Sequence, residues 1–194
     1  MPRAGLNTDR VVAEAADLAD EAGPDHLTLA ALAARLGVRQ PSLYKHVASL
    51  DALLRLISMR GKTELSDVLG RAAIGRARDD AVVAMAHAWR AWALAHPGRY
   101  QAAERGAAPG DAEHEEVSRR TVEVLAAVMD GYGLHGEDAI DAIRAYRAAL
   151  HGFVSLEANH GFAFPASVDR SFDRLVHALA RTLSGWNETS EVPA

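Results

Sequence analysis

Cysteine is absent from the 194 residues, which excludes disulfide bonds and thiolate metal sites. The sequence also lacks an apolar run of about 18 residues, the length that spans a membrane. Its N-terminus lacks the apolar centre of a signal peptide. These absences predict a soluble cytoplasmic protein with no membrane partner.

Catalytic motifs are absent as well. The chain contains no G-x-S-x-G, P-loop or HExxH pattern. His151, Glu157 and His160 are metal-binding residue types, but helical spacing puts the two histidines on nearly opposite faces. We therefore expect no catalytic residues, no metal and no cofactor. A hydrolase or metalloenzyme stays open as an alternative, which turnover or bound metal would reveal.

The sequence has few features of β-structure. Runs of β-branched residues and Asn-Gly hairpin signals are missing, whereas alanine, the strongest helix former, is abundant. Hydrophobic residues make up 49% of the chain, and its length suits one or two small domains. We therefore predict an all-α fold, with a three-helix N-terminal domain followed by a C-terminal helical bundle.

Two short helices joined by a tight turn are predicted near the N-terminus. Leu32 and Leu36 recur at helical spacing, so one face of the first helix is apolar. Thr28 can cap the free amides at its start, and Gly37 suits a left-handed helix end. Pro41 falls in the first turn of the second helix, where its missing N–H costs nothing. This pattern is a helix-turn-helix.

The second helix has two distinct faces. Leu43 and Val47 are four residues apart and point inward, as buried anchors. The exposed face carries hydrogen-bonding or cationic side chains. These are Arg39, Gln40, Ser42, Tyr44, Lys45 and His46. Anchors on one side and polar groups on the other are what a recognition helix needs in a major groove.

The string LT-LAALA--LGV--PSLY-HV, with Leu53 and Leu54 behind it, resembles the DNA-binding domain of the TetR family of repressors. The resemblance implies that the positions of Thr28, Tyr44 and His46 hold phosphates. One departure is Leu50, where the family often has a lysine, so we expect one phosphate contact to be missing.

The other DNA contacts are predicted from side-chain chemistry. Arginine suits guanine and glutamine suits adenine, so Arg39 and Gln40 are candidate base readers. Pro41 and Ser42 offer an apolar contact and a hydroxyl, and Lys45 could reach base or backbone. The plainer alternatives are that Tyr44 packs on the first helix, that His46 caps a helix end, and that Arg35 lies on a solvated face.

The formal net charge is −5, but the charges are unevenly distributed. From Thr28 to Arg60 the chain carries five cations and one carboxylate, Asp51. The cations are Arg35, Arg39, Lys45, Arg55 and Arg60. Acidic residues concentrate elsewhere, including 111–116. Such segregation is expected when one end of a protein meets phosphate.

The sequence divides into three parts. Residues 8–56 form the predicted helix-turn-helix domain, and a fourth helix links it onward to about residue 73. Residues 76–186 form the predicted dimerisation and ligand-binding domain, and 187–194 a tail. Thr8 is the expected cap of the first helix.

Two C-terminal helices are predicted to form a homodimer interface, over residues 137–160 and 168–186. In the first, Ile140 belongs to the apolar stripe and Tyr146 lies on its flank. The alternative is that both stripes bury only an intrachain core. The segments HPGRY and LHGFVSLE are similar to a class of TetR-family C-terminal domains marked by a Trp-His-Gly motif, although Leu150 replaces the tryptophan here.

An apolar pocket with a few polar groups is predicted in the C-terminal domain, as ligand sites commonly have. The candidate lining residues are Met85, Trp89, Trp92, Tyr100, Met129, Tyr132, Arg147, His151 and Phe153. The alternative for each aromatic is a plain core position.

Together these features predict a dimeric repressor that binds a palindromic double-stranded DNA operator. A small apolar or aromatic effector would release it by favouring a state that cannot bind DNA. The main alternative is a helical ligand-binding or partner-binding protein that lacks specific DNA binding.

Overall fold

The computed structural model describes residues 6–23 and 26–186, and this part of the chain is helical with no strand. The all-α prediction is therefore confirmed. The helices are α1 Thr8–Ala22, α2 Leu29–Leu36, a 3₁₀ helix Gln40–Lys45, α3 Leu50–Ala73, α4 Arg78–Ala95, α5 Pro97–Ala103, α6 Ala112–Asp130, α7 Gly136–Ala158 and α8 Val168–Ser184. None of the helices in the described ranges is long and apolar enough to cross a membrane. The predicted tail, 187–194, lies outside the described residues.

The chain forms two compact units. The first comprises Met1–Glu64 and Ala95–Ser118, and the second comprises Leu65–Leu94 and Arg119–Ala194. Helix α3 is continuous across the boundary between Glu64 and Leu65. Thus α5 packs with the N-terminal helices, although it follows α4 in sequence. The functional division at residues 73–76 stays a prediction.

The core of the first unit joins α1, α2, the 3₁₀ helix and α3. Leu32, Leu43, Leu53 and Ile57 have no exposed side-chain surface. The Asn7 side chain accepts a hydrogen bond from the Arg10 backbone N–H at 2.8 Å. Asn7, rather than the predicted Thr8, is therefore the cap of α1.

The core of the second unit contains α4, α7 and α8. Tyr146 is buried, and its hydroxyl donates to the Val82 carbonyl at 2.7 Å. Burial raises the pKa of Tyr146. Ile140, in contrast, is 45% exposed. The buried face of α7 thus leaves out Ile140 and includes Ile143, Leu150 and Val154, together with Tyr146, which was expected on its flank. The bond to Val82 satisfies the polar end of the buried Tyr146 ring.

Candidate nucleic-acid interface

The turn between α2 and the 3₁₀ helix has the predicted geometry. Thr28 Oγ1 accepts from the Ala31 backbone N–H at 3.1 Å, which caps α2. Gly37 adopts φ 66° and ψ 32°, the left-handed conformation that terminates helices. The Gly37 and Val38 amides donate to the carbonyls of Ala34 and Ala33. These contacts fix the direction in which the next segment leaves α2.

The recognition segment is a 3₁₀ helix, Gln40–Lys45, rather than the predicted α-helix. The Ser42 amide donates to the Arg39 carbonyl and the His46 amide to the Leu43 carbonyl, both at 2.8 Å. Pro41 occupies its first turn, as predicted. The segment has six residues, which is longer than the three or four residues usual for a 3₁₀ helix.

Exposure separates the two faces of this segment as predicted. Leu43 and Val47 are buried, whereas Ser42 and His46 are half-buried. The remaining predicted DNA-contacting residues of the segment and its start are exposed: Arg39, Gln40, Pro41, Tyr44 and Lys45. Tyr44 is 53% exposed, which argues against the alternative that its ring packs on α1.

Three of the five cations between Thr28 and Arg60 form ion pairs with carboxylates. Arg35 pairs with Glu14 at 3.1 Å and with Glu21 at 2.5 Å. Arg35 lies on an exposed face of α2, as expected, and its guanidinium is engaged by these two carboxylates.

Arg55 and Arg60 also have carboxylate partners. Arg55 bonds to Asp111 at 2.5 Å and to Glu113 at 2.9 Å, and Arg60 to Glu64 at 2.7 Å. Hydrogen bonds from Arg55 lower the pKa of Asp111 to about 2. Within the described residues, Arg39 and Lys45 are the two cations of this stretch that have no acidic partner. Their charges are available to phosphate.

Leu50 begins α3, and its half-buried side chain packs against the core of the first unit. The Ser49 hydroxyl accepts from the Ala52 amide at 3.0 Å and caps the helix. A lysine at position 50 would place an ammonium where this chain has an apolar contact. The departure from the family pattern therefore has a packing role.

Residues of the HPGRY segment tie α5 to α1 and α3. Arg99 Nε lies 3.2 Å from Asp20 Oδ2, and Arg99 Nη1 lies 3.3 Å from Glu64 Oε2. The Arg99 guanidinium also pairs with Asp17. His96 Nδ1 lies 3.2 Å from Asp20 Oδ2. Sequence reasoning did not find Asp17, Asp20 or Glu64, because these partners are far from Arg99 along the chain and no local spacing connects them.

A second buried cluster joins α3 to the start of α6. His114 Nε2 lies 3.1 Å from Ser58 Oγ and 2.8 Å from Lys62 Nζ. Lys62 also donates to the Arg105 carbonyl and to Ser118 Oγ. Burial, followed by the Lys62 charge, lowers the pKa of His114. The neutral imidazole can therefore accept a hydrogen bond from the Lys62 ammonium at Nε2.

The predicted ligand-lining residues are distributed between core and surface. Six of them are buried: Met85, Trp89, Trp92, Tyr100, Met129 and Tyr132. Arg147 is exposed, whereas His151 and Phe153 are half-buried. Phe153 lines a cavity of about 240 Å³ with Phe162, Phe164 and Val168. Within the described residues, no group of three or more His, Asp or Glu side chains is arranged to hold a metal ion.

Two family models match the chain. Residues 11–57 match "Bacterial regulatory proteins, tetR family", and residues 82–179 match "Tetracyclin repressor-like, C-terminal domain". The chain belongs to the TetR family. As a TetR-family protein, it is a DNA-binding transcriptional regulator.

Relatives of this TetR-family chain carry the same description. It is 42% identical over 178 residues to the HTH-type transcriptional regulator Rv0681 of Mycobacterium tuberculosis, covering 91% of this chain and 81% of that protein. It is 36% identical over 162 residues to YobS of Bacillus subtilis, covering 83% and 84%. A TetR variant of Acinetobacter baumannii, solved with minocycline, has the same fold at TM-score 0.72 and 22% identity, covering 97% of each chain.

Proposed function

We propose that this protein is a dimeric repressor that binds a palindromic operator through two copies of the Gln40–Lys45 segment. The observation that carries the proposal is the pair of cations Arg39 and Lys45, which have no acidic partner among the described residues and lie on an exposed face anchored by Leu43. The proposed DNA-contacting set is Thr28, Arg39, Gln40, Pro41, Ser42, Tyr44, Lys45 and His46. Two-fold pairing is needed because one small unit reads few base pairs.

The contacts divide by chemistry. Arg39 and Gln40, at the start of the segment, would read base edges in the major groove. Thr28, Tyr44 and His46 would hold phosphates, which fix the register of the protein on the duplex. Because Thr28 Oγ1 already accepts from Ala31, its hydroxyl proton remains available to donate to a phosphate oxygen.

The proposed dimer interface lies on α7 and α8, which supply four helices from two chains. Leu175 and Leu179 are half-buried, one turn apart on α8. On α7, a Cβ added at Gly152 would meet no atom within 4 Å, so another helix could approach closely there. A close-packed pair of such surfaces would bury these apolar groups.

A small apolar effector is proposed to bind the second unit and release the operator. The effector must bind the DNA-incompetent state more tightly than the DNA-bound state. Helix α3 would carry the change, because its N-terminal end packs beside the recognition segment and its C-terminal end belongs to the second unit. The Acinetobacter protein, which has this fold, was solved in complex with a small molecule, minocycline.

Membership of the Trp-His-Gly class stays a prediction, and so does the absence of enzymatic activity. A helical ligand-binding or partner-binding protein without specific DNA binding is the second candidate, favoured by the apolar Leu50 at a position where the family often has lysine. The two candidates make opposite predictions about DNA.

The decisive experiment selects fragments of the source genome that bind the purified protein, then footprints the best fragment at physiological salt. The repressor proposal predicts one protected palindrome, with affinity that falls steeply as salt rises. Failure to enrich any fragment, with or without candidate effectors, would favour the second candidate.

A further inference from the structure

A groove of about 400 Å³ lies in the second unit, where α3 ends, α4 begins and α6 passes beside them. This volume is within the range of small-molecule sites, roughly 300–1,000 Å³. Most of the lining is apolar and includes Ala73, Ile74, Val124 and Val128. Ile74 is 73% exposed, so the groove presents an unusually accessible aliphatic side chain.

Two guanidinium groups, those of Arg76 and Arg78, also line the groove. Arg76 donates one bond to the Ala72 carbonyl at 3.0 Å, and Arg78 one to the Gly131 carbonyl at 3.3 Å. Neither has a carboxylate partner within the described part of the chain. A guanidinium has five N–H donors, so both retain most of their capacity for an anion.

The backbone and a ring hold Arg78 in place. Its φ of 51° is uncommon for a residue with a Cβ, and its guanidinium carbon lies 4.9 Å from the centre of the Tyr132 ring. The hydroxyl of Tyr132 donates to Asp79 at 2.8 Å, and that carboxylate also accepts from Ser184. Two hydroxyl groups therefore bond to Oδ1 of Asp79, the acidic residue that follows Arg78 in the sequence.

We propose that this groove binds an amphipathic anion, an apolar body with one carboxylate or sulfonate-like head. The apolar body would lie against Ala73, Ile74 and Val128, and Arg76 and Arg78 would donate charge-assisted hydrogen bonds to the head. A neutral molecule of the same shape gains the apolar contact but leaves both guanidinium groups in water.

The site has a direct route to the DNA-binding unit. Gly70 and Ala73 are in the last turn of α3, and its first turns share a core with Leu43 of the recognition segment and with Val47 just after it. An occupant that moves the end of α3 would therefore bias the position of the segment. This regulatory consequence rests on the proposed function, whereas the binding site itself does not.

The test compares anilinonaphthalene sulfonate with phenylnaphthylamine, fluorescent probes that share a skeleton and differ by the sulfonate. We expect full-length protein to bind the sulfonate more tightly. The double variant Arg76→Gln/Arg78→Gln should weaken sulfonate binding about tenfold or more and leave the neutral probe unchanged. The matched control is Arg71→Gln, which removes an exposed cation of α3 that does not line the groove.

A second variant tests the position independently. Ala127→Trp places a large ring in the groove from an exposed residue and should block the sulfonate. Unchanged sulfonate affinity in both the double variant and Ala127→Trp would overturn the proposal. The probe measurement needs no DNA, so it distinguishes failure of the site from failure of the repressor proposal. Once an operator is known, the regulatory consequence can be tested as well. The sulfonate should lower the affinity of the protein for the operator, and the operator should lower its affinity for the sulfonate by the same factor.

Discussion

Gly98 of α5 lies directly on the backbone of Ala19 in α1, and a Cβ at position 98 would overlap that backbone. The contact positions a charged cluster beside it. Asp20 accepts from the Arg99 backbone N–H at 2.8 Å, and its carboxylate also lies near His96 and the Arg99 side chain. The HPGRY segment thus fastens α5 to the first helix of the DNA-binding unit.

Gly98→Ala should therefore destabilise the protein. The neighbouring atoms are backbone and cannot rotate away, so overpacking should cost at least about 1–3 kcal/mol of unfolding free energy. Urea denaturation measures the change. The control is Gly70→Ala in α3, where an added Cβ meets no atom within 4 Å and should be neutral or slightly stabilising. Equal stability of the two variants would contradict this close packing of α5 on α1.

Lys45→Gln should weaken DNA binding and lower its dependence on salt. Each phosphate that is no longer neutralised by a cation reduces the slope of log affinity against log salt by about 0.9. Anisotropy titrations of a bound fragment at several salt concentrations give the slope. Arg35→Gln removes a cation that pairs with Glu14 and Glu21, so its slope should match the wild type. Equal slopes for all three proteins would show that Lys45 contacts no phosphate.

Leu50→Lys should alter stability and DNA binding in opposite directions. The half-buried Leu50 packs on the core, so its removal should reduce the unfolding free energy by about 1 kcal/mol. The new ammonium, at the first turn of α3, should bind a phosphate and steepen the salt slope. Leu50→Gln is the control, because it removes the same apolar packing without adding charge. If Leu50→Lys and Leu50→Gln bind DNA equally well, no phosphate lies within reach of this position.

Gly152→Leu should convert the proposed dimer to a monomer. The chain itself leaves open space around Gly152, so the substitution should be tolerated within one chain but should obstruct a second one. Sedimentation or light scattering reports the mass, and circular dichroism reports the helicity. Ala91→Leu, at an exposed position of α4, is the control and should leave the mass unchanged. A dimeric Gly152→Leu protein would place the interface elsewhere.

The buried His114 should make the protein less stable in mild acid. Its pKa is lowered from the ordinary value of 6.5, first by burial and then by Lys62. Arg55 and Arg105 also disfavour a proton there, whereas Asp111 favours it. Below about pH 6.5 the unfolded chain takes up a proton that the native histidine resists, so stability falls as pH decreases.

Urea denaturation at about pH 7.5 and about pH 5.5 tests this linkage. His114→Asn cannot take up the proton and should lose less stability over that interval than the wild type. His160→Asn is the control, since His160 is exposed and its φ of 55° suits asparagine. An identical pH dependence in His114→Asn and the wild type would show that His114 does not cause the acid sensitivity.

Local signals explain what the sequence could predict. Thr28, Gly37 and Pro41 each act on a single turn, and the structure has the cap, the left-handed residue and the first-turn proline in those positions. The end of α3 at Ala73 was equally predictable, because a glycine, Gly75, follows it. In the structure Gly75 has a positive φ of 71°, a conformation that favours glycine.

Features that depend on distant residues could not be predicted. The pairing of Arg55 with Asp111 joins two segments that no spacing rule connects, and it neutralises a cation that the sequence analysis counted in the basic stretch from Thr28 to Arg60. The buried Tyr146 donates a hydrogen bond to the Val82 carbonyl, a partner that lies 64 residues away along the chain. The 3₁₀ geometry of Gln40–Lys45 was not predicted either, since no residue in the segment distinguishes it from an α-helix. The roles of the DNA-contacting and ligand-lining residues stay predictions.

The ion pairs of Arg35, Arg55 and Arg60 have a consequence for how such a regulator would find its operator. Affinity for unrelated DNA comes almost wholly from cations that displace counterions. Of the five cations from Thr28 to Arg60, Arg39 and Lys45 are the two without an acidic partner among the described residues, so they are left to supply that affinity. A dimer would dwell only briefly at each random site and would search the genome by many short visits. A long residence time at the operator would then require base contacts and shape in addition to these charges.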